Sequence, residues 1–450
     1  MSTDVLEVDF LVIGGGMAGM TAASFAASAG CTVLVAEKNP DIGGTAVLSG
    51  GKLWTGKTYE LLDAETPGGD PALKRTTFEQ FPRAVEWVRQ SGVSVDPATP
   101  HLHYGEGHNL DIVGYIKWCG AAVTHAGGHI IRNATVDRLI VENGAVTGAL
   151  IADRDGETEV RAPHTLLAAG GFSGSPALRE LFIARQAGRA LARCNPTNTG
   201  DGLRLGLAAG GALSPFMGGF YGHVMMHPVQ QFGPREFRAY TQGGASVNGI
   251  MVNLQGQRFC DESLEDHRNA QEILTQPEAR AVMFFDSVLR ERIARVVLAN
   301  TDTPTDAFQN ARNEGGRTAQ ADRWEDLVEQ VAAWGYDGAA CLETIRGFNQ
   351  AAAGQGSLAM PRRRGLRAHD QAPYYAVEGQ TGVTATHGGL RIDAGGQVLK
   401  FDGTPVAGLH AAGADAGNMH GTGYAGGLAF AATFGLLAAD RAIATAKTAR

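Results

Sequence analysis

The stretch Val8-Asp9-Phe10-Leu11-Val12-Ile13 runs straight into Gly14-Gly15-Gly16-Met17-Ala18-Gly19. The first part is short, apolar and rich in branched side chains, the pattern of a strand buried on both faces of a parallel sheet. An alanine-rich segment continues to about Ala29, Gly30 stops it, and Thr32-Val33-Leu34-Val35-Ala36 reads as a second strand ending on Glu37. Strand, glycine turn, helix, strand and acid stand in the order of a βαβ nucleotide-binding unit. Each glycine has its own reason. Gly14 makes the tight turn, Gly16 lets the backbone approach a pyrophosphate, and Gly19 lets helix and strand pack closely. The helix start offers free N–H groups and the positive end of its dipole, and Glu37 can accept hydrogen bonds from a ribose. A dinucleotide is the expected ligand, and this fingerprint alone does not separate NAD from FAD.

The remainder of the chain must be long enough to act on what that unit binds. At 450 residues it suits two large lobes rather than one compact domain. Hydrophobic residues make up 44% and charged residues 19%, enough for a sizeable core and against disorder. The net charge of −8, with no basic stripe, argues against nucleic acid as a partner. The 62 glycines have no collagen-like period, so they mark tight turns and close backbone approaches. Cys31, Cys119, Cys194, Cys260 and Cys341 are far apart, form no CxxC pair and no zinc spacing, and are expected as buried free thiols. No metal is expected. The start of the chain has no basic region, and its apolar run, Phe10 to Ile13, is too short for a signal or a membrane span, so a cytoplasmic protein without a transmembrane segment is expected.

Two further glycine-rich segments resolve the cofactor. Asp41-Ile42-Gly43-Gly44-Thr45-Ala46-Val47-Leu48-Ser49-Gly50-Gly51 follows the acidic strand. Residues 408–435 contain a strand, a Gly413-Ala414-Asp415 turn and a glycine-rich entry to a helix. A long cofactor needs contacts from both ends of the chain. This pattern resembles the FAD-dependent fumarate reductase and succinate dehydrogenase flavoprotein superfamily, most of all its branch of 3-ketosteroid and tricarballylate dehydrogenases. Residues 164–174, Asn198-Thr199-Gly200-Asp201-Gly202, 249–263, 373–377 and 386–393 carry the same resemblance over nearly the whole chain.

The resemblance implies a two-lobed α/β flavoprotein, with a glutathione-reductase-like, Rossmann-type FAD domain and an inserted α+β capping domain. The FAD domain would comprise residues 1–221 and 380–450, and the cap residues 222–379. Residues 81–93 read as a helix with Pro82 near its first turn, 129–136 and 145–153 as strands, and 323–335 as a helix. Polar residues 301–321 read as a surface loop. FAD contacts are expected from Gly14, Gly16, Ala18, Gly19, Glu37, Lys38, Gly44, Thr45, Ser49, Gly50, Gly51, Val136, Asp201, Asp415, Ala429 and Phe430. Gly44 stands where succinate dehydrogenases carry the histidine bonded to flavin, so the FAD is expected to be non-covalent.

In this superfamily hydride passes between a substrate carbon and flavin while a protein group moves a proton at the neighbouring carbon. Met226-His227-Pro228 resembles the family's substrate-binding histidine-proline motif, with His223 and His267 as weaker contenders. Arg268, in Asp266-His267-Arg268-Asn269, resembles the family's proton-transferring arginine after a one-residue slip, and clamping an anion is the easier role for a guanidinium. Arg258 reads as structural. Tyr424 stands where fumarate reductases have arginine, and Thr384 where they keep a second histidine, so fumarate itself is disfavoured. The expected catalytic residues are therefore Arg268, Tyr424 and His227, with His227, Thr384 and Gly427 at the substrate. Each of these also has an ordinary structural reading, as a buried core tyrosine or a surface ion pair.

The expected activity is FAD-dependent desaturation of a carbon–carbon bond next to a ketone or carboxylate. The chain has no CxxCH haem motif and no room for an FMN domain, so a separate electron acceptor or donor is expected as partner. The alternatives are an ene-reductase fed by an external donor and, less favoured, a non-catalytic flavin-binding subunit.

Overall fold

The computed structural model describes residues 5–229, 244–297 and 304–449. Its backbone divides into two compact units. One comprises residues 1–183, 194–220 and 385–450, and the other residues 184–193 and 221–384.

In the first unit, strand Phe10–Ile13 is fully buried, as its unbroken apolar run requires. It pairs in parallel with Val33–Glu37 on one side and His164–Leu167 on the other. His129–Arg132 adds beyond Val33–Glu37, and Pro405–Ala411 beyond His164–Leu167, again in parallel. Five parallel strands drawn from both ends of the chain thus place the first strand at their centre. Helix Met17–Ser28 packs on this sheet and on helix Gly427–Ala449. The carboxy-terminal helix is long and apolar enough to cross a membrane, yet 61% of that stretch is buried within the structure. An antiparallel ladder of Thr135–Glu142, Ala145–Asp153 and Gly156–Arg161 extends the sheet.

The second unit is built around the long strand Tyr374–Thr386, almost wholly buried through its middle. It pairs antiparallel with Arg280–Phe285 and Thr318–Ala321 and parallel with Leu191–Ala192. Strand Phe220–Met226 also joins it, and Ile250–Val252 pairs with Arg280–Phe285. Apolar faces of helices Asp266–Leu274, Trp324–Ala332 and Gly338–Ala352 close the cores on this sheet.

Buried carboxylates fix the second unit as firmly as its apolar core. Glu262, Asp286 and Glu378 are each fully buried. Arg258 grips Glu262 through two bonds of 2.8 and 2.6 Å, and Arg362 adds a third at 3.1 Å. Arg367 grips Asp286 at 2.7 and 2.9 Å, and these bonds, against the opposing effect of burial, hold that carboxyl well below the usual range. Desolvated charges of this kind persist only when paired.

Several expectations change in detail. Pro82 lies inside a helix that begins at Pro71 and runs to Gln90, because Asp70 caps the earlier start by accepting from the Ala72 and Leu73 N–H groups. The expected strand over 129–136 is two strands separated by Asn133, whose φ of 54° breaks the extended backbone. Within 301–321, the described residues form a strand pair at Pro304–Thr305, helix Ala307–Asn313 and strand Thr318–Ala321 rather than a loop. Asp306 caps that helix and Phe308 is buried under it. All five cysteines are buried free thiols. The units divide at 220/221 and 384/385, and residues 184–193 belong with the second, because Leu191–Ala192 pairs with the long central strand.

Removing one partner of a buried ion pair leaves an uncompensated charge. Arg258→Ala is expected to lower unfolding free energy by about 3 kcal/mol, the low end for a broken buried pair because Arg362 still faces Glu262. Urea denaturation followed by far-UV circular dichroism measures this, and a change below about 1 kcal/mol would show that Glu262 does not depend on Arg258.

Candidate active site

In the first unit the three fingerprint glycines answer different demands. At Gly14, φ is +108° and a Cβ would lie 2.2 Å from the Ala168 carbonyl oxygen. At Gly19 a Cβ would lie 1.9 Å from the Gly14 carbonyl oxygen. At Gly16 a Cβ would meet no atom within 4 Å. Protein packing therefore demands glycine at 14 and 19, whereas the space beside Gly16 serves something other than the protein. The second glycine loop reaches the same place, for a Cβ on Gly44 would meet Gly16 Cα at 3.6 Å. Gly16 is the N-cap of helix Met17–Ser28 and provides no side-chain bond to its first N–H groups. An open cradle at an uncapped helix start fits a pyrophosphate.

Several of the other expected cofactor residues are held by ordered polar bonds of their own. Glu37 is buried and accepts from the Gly15 N–H at 2.7 Å and from both the backbone and side-chain nitrogens of Asn39 at 2.7 Å. Lys38 donates to Asp201 at 2.6 Å and to Thr199 at 3.0 Å. The Thr45 hydroxyl accepts from the Asn195 N–H and the Asn198 amide at 3.0 and 2.9 Å. Ser49 donates to the Ala46 carbonyl and accepts from Gly51, closing the turn that holds Gly50. The Val136 carbonyl accepts from Arg204 at 3.1 Å. Ala18 is buried at the start of helix Met17–Ser28, and Ala429 and Phe430 near the start of the carboxy-terminal helix.

Asp415 is buried and accepts from the N–H groups of Ala169 and Gly171, pinning the turn after strand His164–Leu167. Burial pushes its carboxyl up to about 6.

Tyr424 lies in an aromatic cluster of the same unit, 5.8 Å from Trp54, 5.2 Å from His420 and 6.4 Å from His387 by ring centroids. The Gly427 N–H, at the start of the carboxy-terminal helix, donates to its phenol oxygen at 2.8 Å. His387 is buried, and its Nδ1 donates to the Gly421 carbonyl at 2.9 Å, which fixes the tautomer. Burial lowers its pKa to about 4, so the imidazole is neutral at pH 7, and its Nε2 has no partner among the described residues.

The second unit holds the remaining candidates. Thr384 accepts from the buried Arg193 at 3.1 Å, so a guanidinium adjoins the position expected to lack a cation. His227 bonds Glu378 through Nδ1 at 2.8 Å, and Glu378 also accepts from Arg280, Arg317 and Tyr336. His227 lines a cavity of about 380 Å³ with Arg189, Arg280, Arg317, Gln380 and Thr381. Arg268 is half-buried on helix Asp266–Leu274, where its charge interacts with Glu272 one turn on. Arg258 is committed to Glu262 and to the Met360 carbonyl.

One constellation escapes the sequence reading. Tyr221 Oη and His223 Nε2 are 2.7 Å apart, and His223 Nδ1 is 2.7 Å from Asp266 Oδ2. Asp266 also accepts from Ser246 and from the Val224 N–H. The signal was present in sequence. Tyr221 and His223 are two apart in a strand, so both point to one side. Asp266 could not be joined to them without the fold.

Comparison with known proteins agrees with the cradle. The family described as FAD binding domain matches residues 104–429, and the one described as FAD dependent oxidoreductase matches residues 9–170. The chain belongs to the FAD binding domain family. It is similar to "NADH:fumarate oxidoreductase" of Klebsiella pneumoniae (strain 342), 28% identical over 98% of the chain and 48% of that protein. It is similar also to "Fumarate reductase (cytochrome)" of Shewanella frigidimarina, 28% identical over 97% of the chain and 77% of that protein. The chain thus spans about half the length of the first relative. Among solved structures, 3-ketosteroid delta1-dehydrogenase from Sterolibacterium denitrificans superposes with a TM-score of 0.78 at 19% identity, covering 98% of this chain and 100% of that one. That likeness is one of fold. Membership of that family makes FAD its cofactor, and the open cradle at Gly16 has the space a pyrophosphate would need.

The glycine geometry separates folding from cofactor binding. Gly16→Val is expected to fold with near-normal stability but to lose FAD, because its side chain enters only the ligand's space. Gly14→Ala is expected to fail in both respects. Flavin absorbance and thermal melting of the two purified variants check this, and a Gly16→Val protein that keeps full FAD occupancy would refute the assigned role of Gly16.

Proposed function

We propose that the protein desaturates a carbon–carbon bond next to a ketone or carboxylate, with a small-molecule substrate and a separate electron acceptor. The observation that carries this reading is the hydrogen bond from Gly427 N–H into the Tyr424 phenol oxygen at 2.8 Å. A donor at the start of a helix draws charge from that oxygen and strengthens its O–H as a donor in turn. Tyr424 can then hold a substrate carbonyl oxygen while negative charge builds on it, without bringing a full charge of its own. The neighbouring Trp54 and neutral His387 suit a ketone-bearing, partly apolar substrate better than a dicarboxylate. The resemblance to ketosteroid dehydrogenases supports the same direction.

Bound FAD supplies the acceptor for the hydride that leaves the substrate. Gly16, Gly44, Thr45 and the start of helix Met17–Ser28 would hold it, and Asp415 orders the turn beside it. Gly44 has no group that can bond flavin covalently, so the cofactor is non-covalent in this reading. In the second unit, Arg268 would act as an electrostatic clamp, since guanidinium stays protonated. His227, with the arginines of its cavity, and Thr384, with Arg193, would take an anionic oxygen of the substrate. Those cations favour a second reading, reduction of an unsaturated carboxylate by an external donor.

Anaerobic mixing of the oxidised holoprotein with a panel of cyclic ketones and mono- and dicarboxylates tests the reading. Bleaching of the flavin band by a saturated ketone or monocarboxylate is expected, with Tyr424→Phe slowing it by about a hundredfold or more. FAD should be released intact on acid precipitation. If no saturated compound bleaches the flavin while reduced protein is reoxidised by unsaturated carboxylates, the reductase reading replaces this one.

A further inference from the structure

A buried polar atom with no partner is costly, and in a folded protein it marks a place completed from outside the chain or held for chemistry. In the first unit, three such atoms stand on two segments that bond to each other. Thr386 Oγ1, His387 Nε2 and Asn418 Oδ1 each belong to a side chain at least nine-tenths buried, and none has a hydrogen-bond partner among the described residues. The Asn418 N–H donates to the His387 carbonyl at 2.8 Å and ties the two segments together.

His387 is the most sharply defined of the three. Its Nδ1 donates to the Gly421 carbonyl at 2.9 Å, and a Cβ on Gly219 would lie 2.9 Å from the same nitrogen. The protein therefore packs one edge of the imidazole so closely that a methyl group would not fit beside it. With the hydrogen committed to Nδ1, Nε2 is a bare acceptor. Burial keeps the ring uncharged, against the small opposing effect of the Gly421 carbonyl. The neighbouring rings are His420 at 5.0 Å and Tyr424 at 6.4 Å. A neutral acceptor in such a place is complementary to one kind of ligand group, an uncharged N–H or O–H.

Contacts within the first unit lead from the Gly16 cradle to this atom. The Ala18 Cβ, in the first turn of the helix that Gly16 caps, lies 3.3 Å from where a Cβ on Gly413 would stand. Gly413 opens the turn that ends on Asp415. A Cβ on Gly171 would meet the Ala414 carbonyl oxygen of that turn at 2.7 Å and Thr386 Oγ1 at 2.8 Å. Thr386 is the residue before His387. A ligand that starts at the cradle and follows this line meets the unpartnered atoms at its far end. FAD is long enough to do so, and its oxidised ring system carries a single ring N–H.

We propose that His387 Nε2 accepts a hydrogen bond from the ring N–H of bound FAD, anchoring the ring end of the cofactor whose pyrophosphate the Gly16 cradle takes. All residues named here lie in the first unit. The assignment rests on FAD as the cofactor and is independent of the direction of the reaction. Histidine suits the post for a stated reason. Lysine or arginine could only donate, and an amide could turn to offer either group, whereas a histidine locked by Gly421 can only accept.

The test starts from the FAD-loaded protein. His387→Asn places an amide donor near the Gly421 carbonyl, where Nδ1 stood, and removes the acceptor at Nε2. It is expected to keep its melting temperature in excess FAD, yet to bind FAD about tenfold more weakly, read by flavin fluorescence on dilution. FAD methylated at the ring N–H should bind wild type at least about tenfold more weakly than FAD. With His387→Asn the methyl group should make little further difference, because two changes that remove one bond do not add. Nitrogen NMR of histidine-labelled wild type is independent of any variant. His387 should appear as the Nδ1–H tautomer, with an Nε2 signal that moves to that of a free acceptor when methylated FAD replaces FAD. Equal FAD binding by His387→Asn and wild type would overturn the proposal, as would full additivity of variant and methyl group. So would an Nε2–H tautomer, or an Nε2 signal that responds only to added ketone or carboxylate, which would make His387 a substrate contact. If the variant does not fold, the methylated cofactor and the NMR signal decide the matter.

Discussion

The Gly14 carbonyl passes so close under Gly19 that no side chain fits between them, with Ala168 against the other side of Gly14. Three elements meet there: the central strand, the helix that follows it and the end of the neighbouring parallel strand. No side chain can be inserted without driving helix from strand or strand from strand. The sheet order and the position of the helix start are all referred to this one junction. The cradle beside Gly16 opens next to that tight crossing, at a point where a side chain would meet no protein atom.

The second unit solves a different problem. Its central strand carries Glu378 at full burial, and four donors from four other segments, His227, Arg280, Arg317 and Tyr336, converge on that carboxylate. Such a centre contributes little net stability, because desolvation offsets most of the attraction. Its effect is on geometry, since any shift of one donor strands a charge. His227 is held in its rotamer by this network, which defines the wall of the arginine-lined cavity.

Much of the first unit was legible in sequence because its signals are local. The fingerprint glycines, the acidic strand end and the Gly-Ala-Asp turn each announce themselves within a few residues. Pro82 was misplaced because the stronger signal, Asp70-Pro71, lies further upstream than the apolar pattern was followed. The break at Asn133 had a local sign, a residue that tolerates positive φ, but the branched residues on both sides read as one continuous strand. In the second unit, the bonds that matter join residues such as His223 and Asp266, or Thr384 and Arg193, far apart in the chain. Motif reading drew attention to His227 and Arg268 because they sit in recognisable strings. The tyrosine–histidine–aspartate line is divided between two strings, and exists only once the two segments are folded together.

Glu37 shows how tightly cofactor choice and chain folding can be bound together. Its two oxygens accept from Gly15 in the glycine turn and from Asn39 beyond the strand. In many nucleotide-binding proteins the acid at this strand end is the handle by which engineers exchange one cofactor for another. Here that handle is also a brace. Replacing it with a smaller or basic residue would free the buried Gly15 N–H and the half-buried Asn39 N–H before any new ligand arrived. A redesign of nucleotide preference in this scaffold therefore has to begin with the loops on either side of Glu37, and only then with Glu37 itself.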